Sequence, residues 1–157
     1  MKISTEIFVS LFYSGYFKIW PGTFASLISI IILTPIIEYN LISYEILVSL
    51  FILIFIISIF LIEKFSNITK THDSSVIVID EFLGIYFIYI FYDYIFIVNT
   101  FLTVLFIFFF FRFFDILKIF PANFIDKRIK NSLGVLLDDI VASIYTITVL
   151  YILNVYI

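Results

Sequence analysis

The chain has 157 residues and a net charge of −3, and 64% of its residues are hydrophobic, 22% aromatic and 13% charged. This composition lies outside the range of soluble domains and predicts an integral membrane protein, all-α, with a single domain over residues 1–157. The lack of cysteine excludes disulfides, thiolate metal sites and a cysteine nucleophile.

The first segment, residues 1–17, is predicted to form an amphipathic helix at the membrane interface. Its apolar residues recur at helical spacing, at Ile3, Ile7, Phe8, Leu11 and Phe12. A turn sequence follows and ends in Trp20 and Pro21, which suit a membrane surface and the first turn of a helix.

Five apolar segments come next, and each is interpreted as a membrane span. They cover residues 24–37, 44–62, 81–98, 100–114 and 135–157. The first is about 14 residues long, shorter than the roughly 20 residues that a bilayer needs, and Pro35 lies near its end, so we expect it to be short or kinked. The sequence therefore predicts a polytopic helical bundle of about five spans, preceded by the interfacial helix.

The basic residues indicate how this bundle is oriented. Five spans place all nine lysines and arginines on one side of the membrane and Glu38, Glu45 and Asp93 on the other. By the positive-inside rule the basic side is cytoplasmic. We therefore expect a protein of the cell (inner) membrane whose chemistry lies on the cytoplasmic face.

Acidic and basic residues gather at the cytoplasmic ends of three spans. Asp80 and Glu81 begin the third, Arg112, Asp115 and Lys118 end the fourth, and Asp138 and Asp139 begin the fifth. Carboxylates beside long apolar runs are costly without compensation, and adjacent residues on a helix diverge by about 100°. Together these groups offer oxygen ligands for a hard cation and basic groups for a phosphate, and Mg²⁺ fits such a set best.

Other charged residues have simpler interpretations. Asp126 stands next to Lys127 and Arg128 and is interpreted as a solvated or locally paired acid. His72 is the one histidine of the chain, and a histidine beside an aspartate is more often a surface residue than a ligand. The remaining loop lysines are expected to set topology and to attract anionic lipid.

Several enzyme classes are excluded by what the sequence lacks. One histidine cannot build a phosphatase that uses a histidine nucleophile and a second histidine as acid. Neither a Gly-x-Ser-x-Gly elbow nor a glycine-rich phosphate loop occurs, and the Asp-rich signature of CDP-alcohol transferases is missing. Metal-assisted chemistry on carboxylates remains.

Four motifs carry a family resemblance. They are Trp-Pro-Gly-Thr-Phe-Ala-Ser at 20–26, His-Asp through Ile-Val-Ile-Asp-Glu to Gly at 72–84, Phe-Arg-Phe-Phe-Asp-Ile-Leu-Lys with a following proline at 111–121, and Leu-Gly-Val-Leu-Leu-Asp-Asp-Ile-Val-Ala at 133–142. In this order the chain resembles the phosphatidylglycerophosphatase A family. Ala25, Ile119, Ser132 and Ser143 depart from the family pattern, and none of them removes a charged group.

The resemblance implies a magnesium-dependent membrane phosphatase that converts phosphatidylglycerophosphate to phosphatidylglycerol and inorganic phosphate in phospholipid biosynthesis. It implies that the matching acids and Arg112 form the active site. The expected catalytic residues are Asp80, Glu81, Arg112, Asp115, Asp138 and Asp139. The five acids of that set are the expected Mg²⁺ ligands, with Asp115 either a ligand or a base. The expected substrate-binding residues are Arg112, Lys118, Thr23 and His72.

Alternatives remain at this stage. The substrate is expected to be an anionic phospholipid held beside the membrane, but another lipid or prenyl phosphate is compatible with the same residues. From a different class, a small cation channel or transporter would place carboxylates near the bilayer midplane on several spans, whereas the candidate acids here lie at one end and only Asp93 is a candidate elsewhere. We expect no nucleic-acid partner. The oligomeric state, the number of metal ions, and the choice between water attack and an aspartyl-phosphate intermediate stay open.

Overall fold

The computed structural model describes residues 2–71 and 74–156, and within these ranges the chain is helical and contains no strand. The predicted all-α class is therefore confirmed. The helices are α1 (Lys2–Val9), α2 (Pro21–Glu38), α3 (Tyr44–Thr69), α4 (Ile79–Ile90), α5 (Tyr92–Ile95), α6 (Thr100–Leu117), α7 (Ala122–Arg128) and α8 (Ser132–Tyr156), with a 3₁₀ turn at Ser14–Tyr16.

Within the described ranges, four helices are long and apolar enough to cross a membrane, namely α2, α3, α6 and α8. The first predicted span proves short, because the 18 residues of α2 extend about 27 Å at 1.5 Å per residue. Pro35 lies inside α2, and the helix continues past it to Glu38, where the Tyr39 N–H donates to the Pro35 carbonyl at 3.1 Å.

The third predicted span differs most from a regular transmembrane helix. It consists of the 12-residue α4 and the one-turn α5. The pair nevertheless runs through the whole bundle, because the Tyr92 hydroxyl donates to Glu38 Oε1 (2.7 Å) at the far end of α2. Neighbouring helices rather than lipid cover α4, whose Ile85 and Ile88 are fully buried. Five helical segments therefore run between the two ends, in line with the predicted bundle of about five spans.

Helix α4 occupies the centre and packs against α2, α3, α6 and α8. Gly84 allows this close packing, because a Cβ there would lie 2.7 Å from the Phe111 ring. The Ser143 hydroxyl of α8 donates to the Gly84 carbonyl at 2.7 Å. This junction brings the first turn of α4 beside the second turn of α8, and both turns carry acidic residues.

The N-terminal segment is shorter as a helix than residues 1–17 suggest. Helix α1 ends at Val9, and Leu11, Phe12 and Tyr13 all adopt positive φ. The segment is held to the start of α4, since the Val78 N–H donates to the Val9 carbonyl at 3.0 Å. It therefore helps to fix the end of the bundle where the acids lie.

Candidate active site

A cavity of about 1100 Å³ opens at the end of the bundle where α2, α4 and α8 begin and α6 ends. Every site residue predicted from the sequence and described by the structure lines it. These residues are Thr23, Asp80, Glu81, Arg112, Asp115, Lys118, Asp138 and Asp139. His72 lies outside the described residues.

Three carboxylates converge on one point of this cavity. Asp80, Glu81 and Asp139 each offer an oxygen, and these three atoms lie within 4.8 Å of one another. Each residue also has a buried oxygen without a hydrogen-bond partner, namely Asp80 Oδ1, Glu81 Oε2 and Asp139 Oδ2. Unpaired buried acceptors are costly, and a cluster of carboxylate oxygens is the ligand set that a hard divalent cation prefers. The three residues therefore fit Mg²⁺.

The helical geometry explains why these three acids meet. Asp80 and Glu81 occupy the first turn of α4, where the positive end of the helix dipole favours negative charge. In α8 the neighbours Asp138 and Asp139 diverge by about 100°. Asp139 therefore faces α4, whereas the Asp138 carboxylate faces Lys118.

Arg112 lies next to the acid cluster. Its Nη1 is 2.5 Å from Asp115 Oδ2, one turn further along α6, and 3.8 Å from Glu81 Oε1. Both contacts are ion pairs without the alignment of a hydrogen bond. Arg112 Nη1 and Nε are buried, and neither has a hydrogen-bond partner. A guanidinium with unused donors beside a carboxylate cluster is suited to bind phosphate oxygens.

Lys118 joins three elements. It terminates α6 in a left-handed conformation, and its Nζ lies 2.6 Å from Asp126 Oδ1 of α7 and 2.8 Å from Asp138 Oδ2 of α8. Burial lowers the pKa of Lys118, but its hydrogen bonds with Asp126 and Asp138 outweigh that effect and raise the pKa above its usual range. The ammonium is therefore charged, and two of its three donors are in use.

Three of the predicted metal ligands contact basic side chains, since Asp115 and Glu81 pair with Arg112 and Asp138 pairs with Lys118. The convergent cluster contains three of the five predicted acids, namely Asp80, Glu81 and Asp139. The role of Asp115 and Asp138 as metal ligands stays a prediction. Asp126 has a different partner from the one that the sequence suggests. Its neighbours Lys127 and Arg128 suggest a local ion pair, but its carboxylate pairs with Lys118.

Gly22 lines the cavity but has no side chain that could bind or react, so a sequence pattern of reactive residues does not include it. A Cβ at this position would collide with Glu81 Oε1 and would lie 3.2 Å from Arg112 Nη1. The absence of a side chain lets the first turn of α2 approach the acid cluster closely. The Pro-Gly pair of the first motif is the signal that marks this turn.

Polar residues outside the predicted set also line the cavity. They are Ser74, Ser75, Asp126, Lys127, Lys130 and Asn131. All lie in connections or in the short α7, where the sequence shows no spacing that relates them to the acids. Long-range proximity of this kind depends on the path of the loops.

Comparisons with known proteins agree with the motifs. The family model described as Phosphatidylglycerophosphatase A matches residues 7–154. A protein of Haemophilus influenzae named Phosphatidylglycerophosphatase A is 31% identical over 140 residues, which cover 89% of this chain and 82% of that protein. No solved structure matches the chain. The range of the family match includes all the cavity-lining residues named above.

Proposed function

Because this chain belongs to the phosphatidylglycerophosphatase A family, we propose that it is a magnesium-dependent phosphatase that hydrolyses phosphatidylglycerophosphate to phosphatidylglycerol and inorganic phosphate in phospholipid biosynthesis. The family assignment makes the chain a phosphatase, and its helices are those of a membrane protein. The observation that carries the proposal is the set of three unpaired carboxylate oxygens beside a buried arginine with unused donors.

Asp80, Glu81 and Asp139 would hold the Mg²⁺ ion. When bound, the ion supplies positive charge that stabilises the phosphoryl oxygens and makes a bound water more acidic. Asp115 and Asp138 lie in the same cavity and remain candidates for a second ion or for outer contacts. Because both are paired with basic residues, we assign them first to positioning Arg112 and Lys118.

The basic residues bind and orient the phosphomonoester. Arg112 would donate from Nε and Nη1, which have no hydrogen-bond partner, to the phosphoryl oxygens, where negative charge accumulates in the transition state. Lys118 contributes its remaining N–H. Thr23 lies at the start of α2 in the cavity wall and offers a hydroxyl and a backbone donor. His72 remains a predicted contact.

Water attack accounts for the reaction with the groups present. The water oxygen bonds to phosphorus as the ester bond to the glycerol oxygen breaks. Besides positioning Arg112, Asp115 is assigned to orient the water and accept its proton, because it lies beside Arg112 in the cavity. That proton then passes to the glycerol oxygen, which leaves as the alcohol. An attacking aspartate would instead leave acid-stable phosphate label on the protein.

The location of the cavity suits a lipid substrate. It lies at the end of the bundle that carries the basic loops, which the positive-inside rule places in the cytoplasm. The head group enters the cavity from the leaflet surface while the acyl chains stay in lipid beside the helices. We therefore propose that the enzyme acts on the cytoplasmic face of the inner membrane.

Phosphate release from dihexanoyl phosphatidylglycerophosphate in neutral detergent tests this function. We expect purified protein to release phosphate with Mg²⁺ and to lose activity in excess EDTA, and we expect added Mg²⁺ to restore it. Activity that survives EDTA would refute the metal role. Parallel assays with phosphatidic acid and a prenyl phosphate identify another lipid substrate if either is hydrolysed with a higher kcat/KM. Cation flux in proteoliposomes without phosphate release would favour a channel.

A further inference from the structure

The charged residues that line the cavity divide into paired and unpaired groups. Among the described residues, six acids and four bases line it. Two of the bases pair with acids, Arg112 with Asp115 and Glu81, and Lys118 with Asp126 and Asp138. The other two, Lys127 and Lys130, form no ion pair within the described ranges. Both are exposed, so they lie at the mouth of the cavity.

The backbone that carries these two lysines is held in place. Lys127 lies in the last turn of α7, which the ion pair between Asp126 and Lys118 attaches to the end of α6. Lys130 lies in the connection to α8. There the Gly134 N–H donates to Asn131 Oδ1 at 3.1 Å, and a Cβ on Gly134 would collide with the Ile129 carbonyl oxygen. The backbone positions of the two lysines are therefore fixed at points where both side chains line the cavity.

The proposed substrate carries a second negative group that the acid cluster does not explain. Its head group has a terminal phosphomonoester and, one glycerol unit closer to the acyl chains, a phosphodiester. The carboxylates with their metal and Arg112 account for the monoester. The diester must then lie nearer the mouth, because it is the part of the head group that connects to lipid. Lysine ammonium groups bind phosphate as point charges.

We propose that Lys127 and Lys130 form a second anionic subsite, which binds the phosphodiester of the substrate. This inference rests on the proposed function and deepens it. The subsite selects lipid phosphates that carry two phosphates in the head group over phosphatidic acid, which has the monoester and the acyl chains but no diester. The acid cluster sets the reaction, and the two lysines set the preference for the head group.

Kinetics with matched lipids test the subsite. The double variant Lys127→Gln/Lys130→Gln is assayed with dihexanoyl phosphatidylglycerophosphate, with dihexanoyl phosphatidic acid as the competitor, in neutral detergent. We expect KM to rise about tenfold, as for the loss of charge-assisted contacts, while kcat and the Ki of phosphatidic acid change less than about twofold. Arg128→Gln is the control, because Arg128 lies between the two lysines in the chain but does not line the cavity.

Each outcome has a clear meaning. A Ki for phosphatidic acid that rises in parallel with KM, or an equal effect of Arg128→Gln, would show that the lysines act through the general surface charge and would overturn the subsite. An unchanged KM in the double variant would overturn it as well. Wild-type protein that releases no phosphate from phosphatidylglycerophosphate would instead refute the proposed function itself.

Discussion

At the scale of single residues, the feature that most needs a binding partner is the set of unpaired carboxylate oxygens of Asp80, Glu81 and Asp139. Three negative charges at this separation repel one another in a setting that excludes most water. Without a cation this repulsion would cost folding free energy, and a bound cation would stabilise the fold by the free energy of binding. The site is therefore expected to couple metal binding to thermal stability as well as to activity.

Asp139→Asn tests this coupling. The amide keeps the shape of the side chain and removes its charge, so we expect kcat to fall at least about 100-fold. We also expect the rise in Tm that Mg²⁺ gives to the wild type to disappear. Asp93→Asn, in α5 at the opposite end of the bundle, is the control and should retain both properties. A Mg²⁺-dependent rise in Tm that persists in Asp139→Asn would remove this residue from the metal site.

Gly22→Ala tests the close approach of α2 to the cluster. The added methyl group would occupy the space of Glu81 Oε1, so the Glu81 carboxylate or the helix must move. We expect kcat/KM to fall at least about tenfold, because displacements of about 1 Å in an active site can cost more than that. Leu27→Ala, on the exposed side of α2, serves as the control. Wild-type kinetics in Gly22→Ala would show that the position of Glu81 is not critical.

At the scale of elements, the ends of α6, α7 and α8 are joined by one ammonium group. Asp138 is the more buried partner of Lys118, with 9% of its side chain exposed, against 36% for Asp126. Removal of the lysine leaves a buried carboxylate without its counter-charge, which costs more than loss of the exposed partner. Lys118 thus has a positioning role in addition to any contact with phosphate.

This difference predicts an order of effects. We expect Lys118→Gln to reduce kcat at least about tenfold, and we expect Asp126→Asn to reduce it by less, because exposed pairs contribute little. The measurement is kcat together with Tm for both variants and for Arg128→Gln as a control. A loss of kcat in Asp126→Asn as large as that in Asp139→Asn would contradict the order and give Asp126 a catalytic role.

The raised pKa of Lys118 also predicts how the enzyme responds to pH. A folded-state pKa above the unfolded value of about 10.4 means that the ion pairs are complete below that value and are lost as the pH rises through the folded pKa. The Lys118 ammonium therefore does not titrate between about pH 7 and 9. We expect the Tm difference between wild type and Lys118→Gln not to shrink as the pH rises over this range. A difference that shrinks toward pH 9 would show that Lys118 titrates earlier.

The elements also show what the sequence can predict and where it stops. Hydropathy locates α2, α3, α6 and α8 to within a few residues, except that α3 extends past residue 62 to Thr69. It cannot distinguish the buried α4 from a lipid-facing span, because both are apolar. Charged pairs beside apolar runs indicate the site. The partners of Lys118 depend on the turn between α6 and α7, and no local pattern encodes that turn.

At the scale of the whole molecule, the two ends of the bundle differ in chemistry. One end carries the acid cluster and the basic residues. At the other end Glu38 Oε1 accepts hydrogen bonds from the hydroxyls of Tyr92 (2.7 Å) and Thr100 (2.8 Å), and Asn154 Nδ2 donates to the Tyr94 carbonyl (3.0 Å). These contacts join α2, α5, α6 and α8 without a basic residue, so this end holds the helices together.

The orientation of this polarity in the membrane can be tested directly, because the chain has no cysteine and single cysteines can be labelled without background. Tyr39→Cys marks the end opposite the site, where Tyr39 is 76% exposed, and Lys70→Cys marks the end of α3 near the site. In spheroplasts, we expect a membrane-impermeant maleimide to label Tyr39→Cys and to reach Lys70→Cys only after permeabilisation. Both variants should retain phosphatase activity, since neither position lines the cavity. Labelling of Lys70→Cys in intact spheroplasts would place the site outside the cell, and the lipid phosphate would then have to cross the bilayer before it could be hydrolysed.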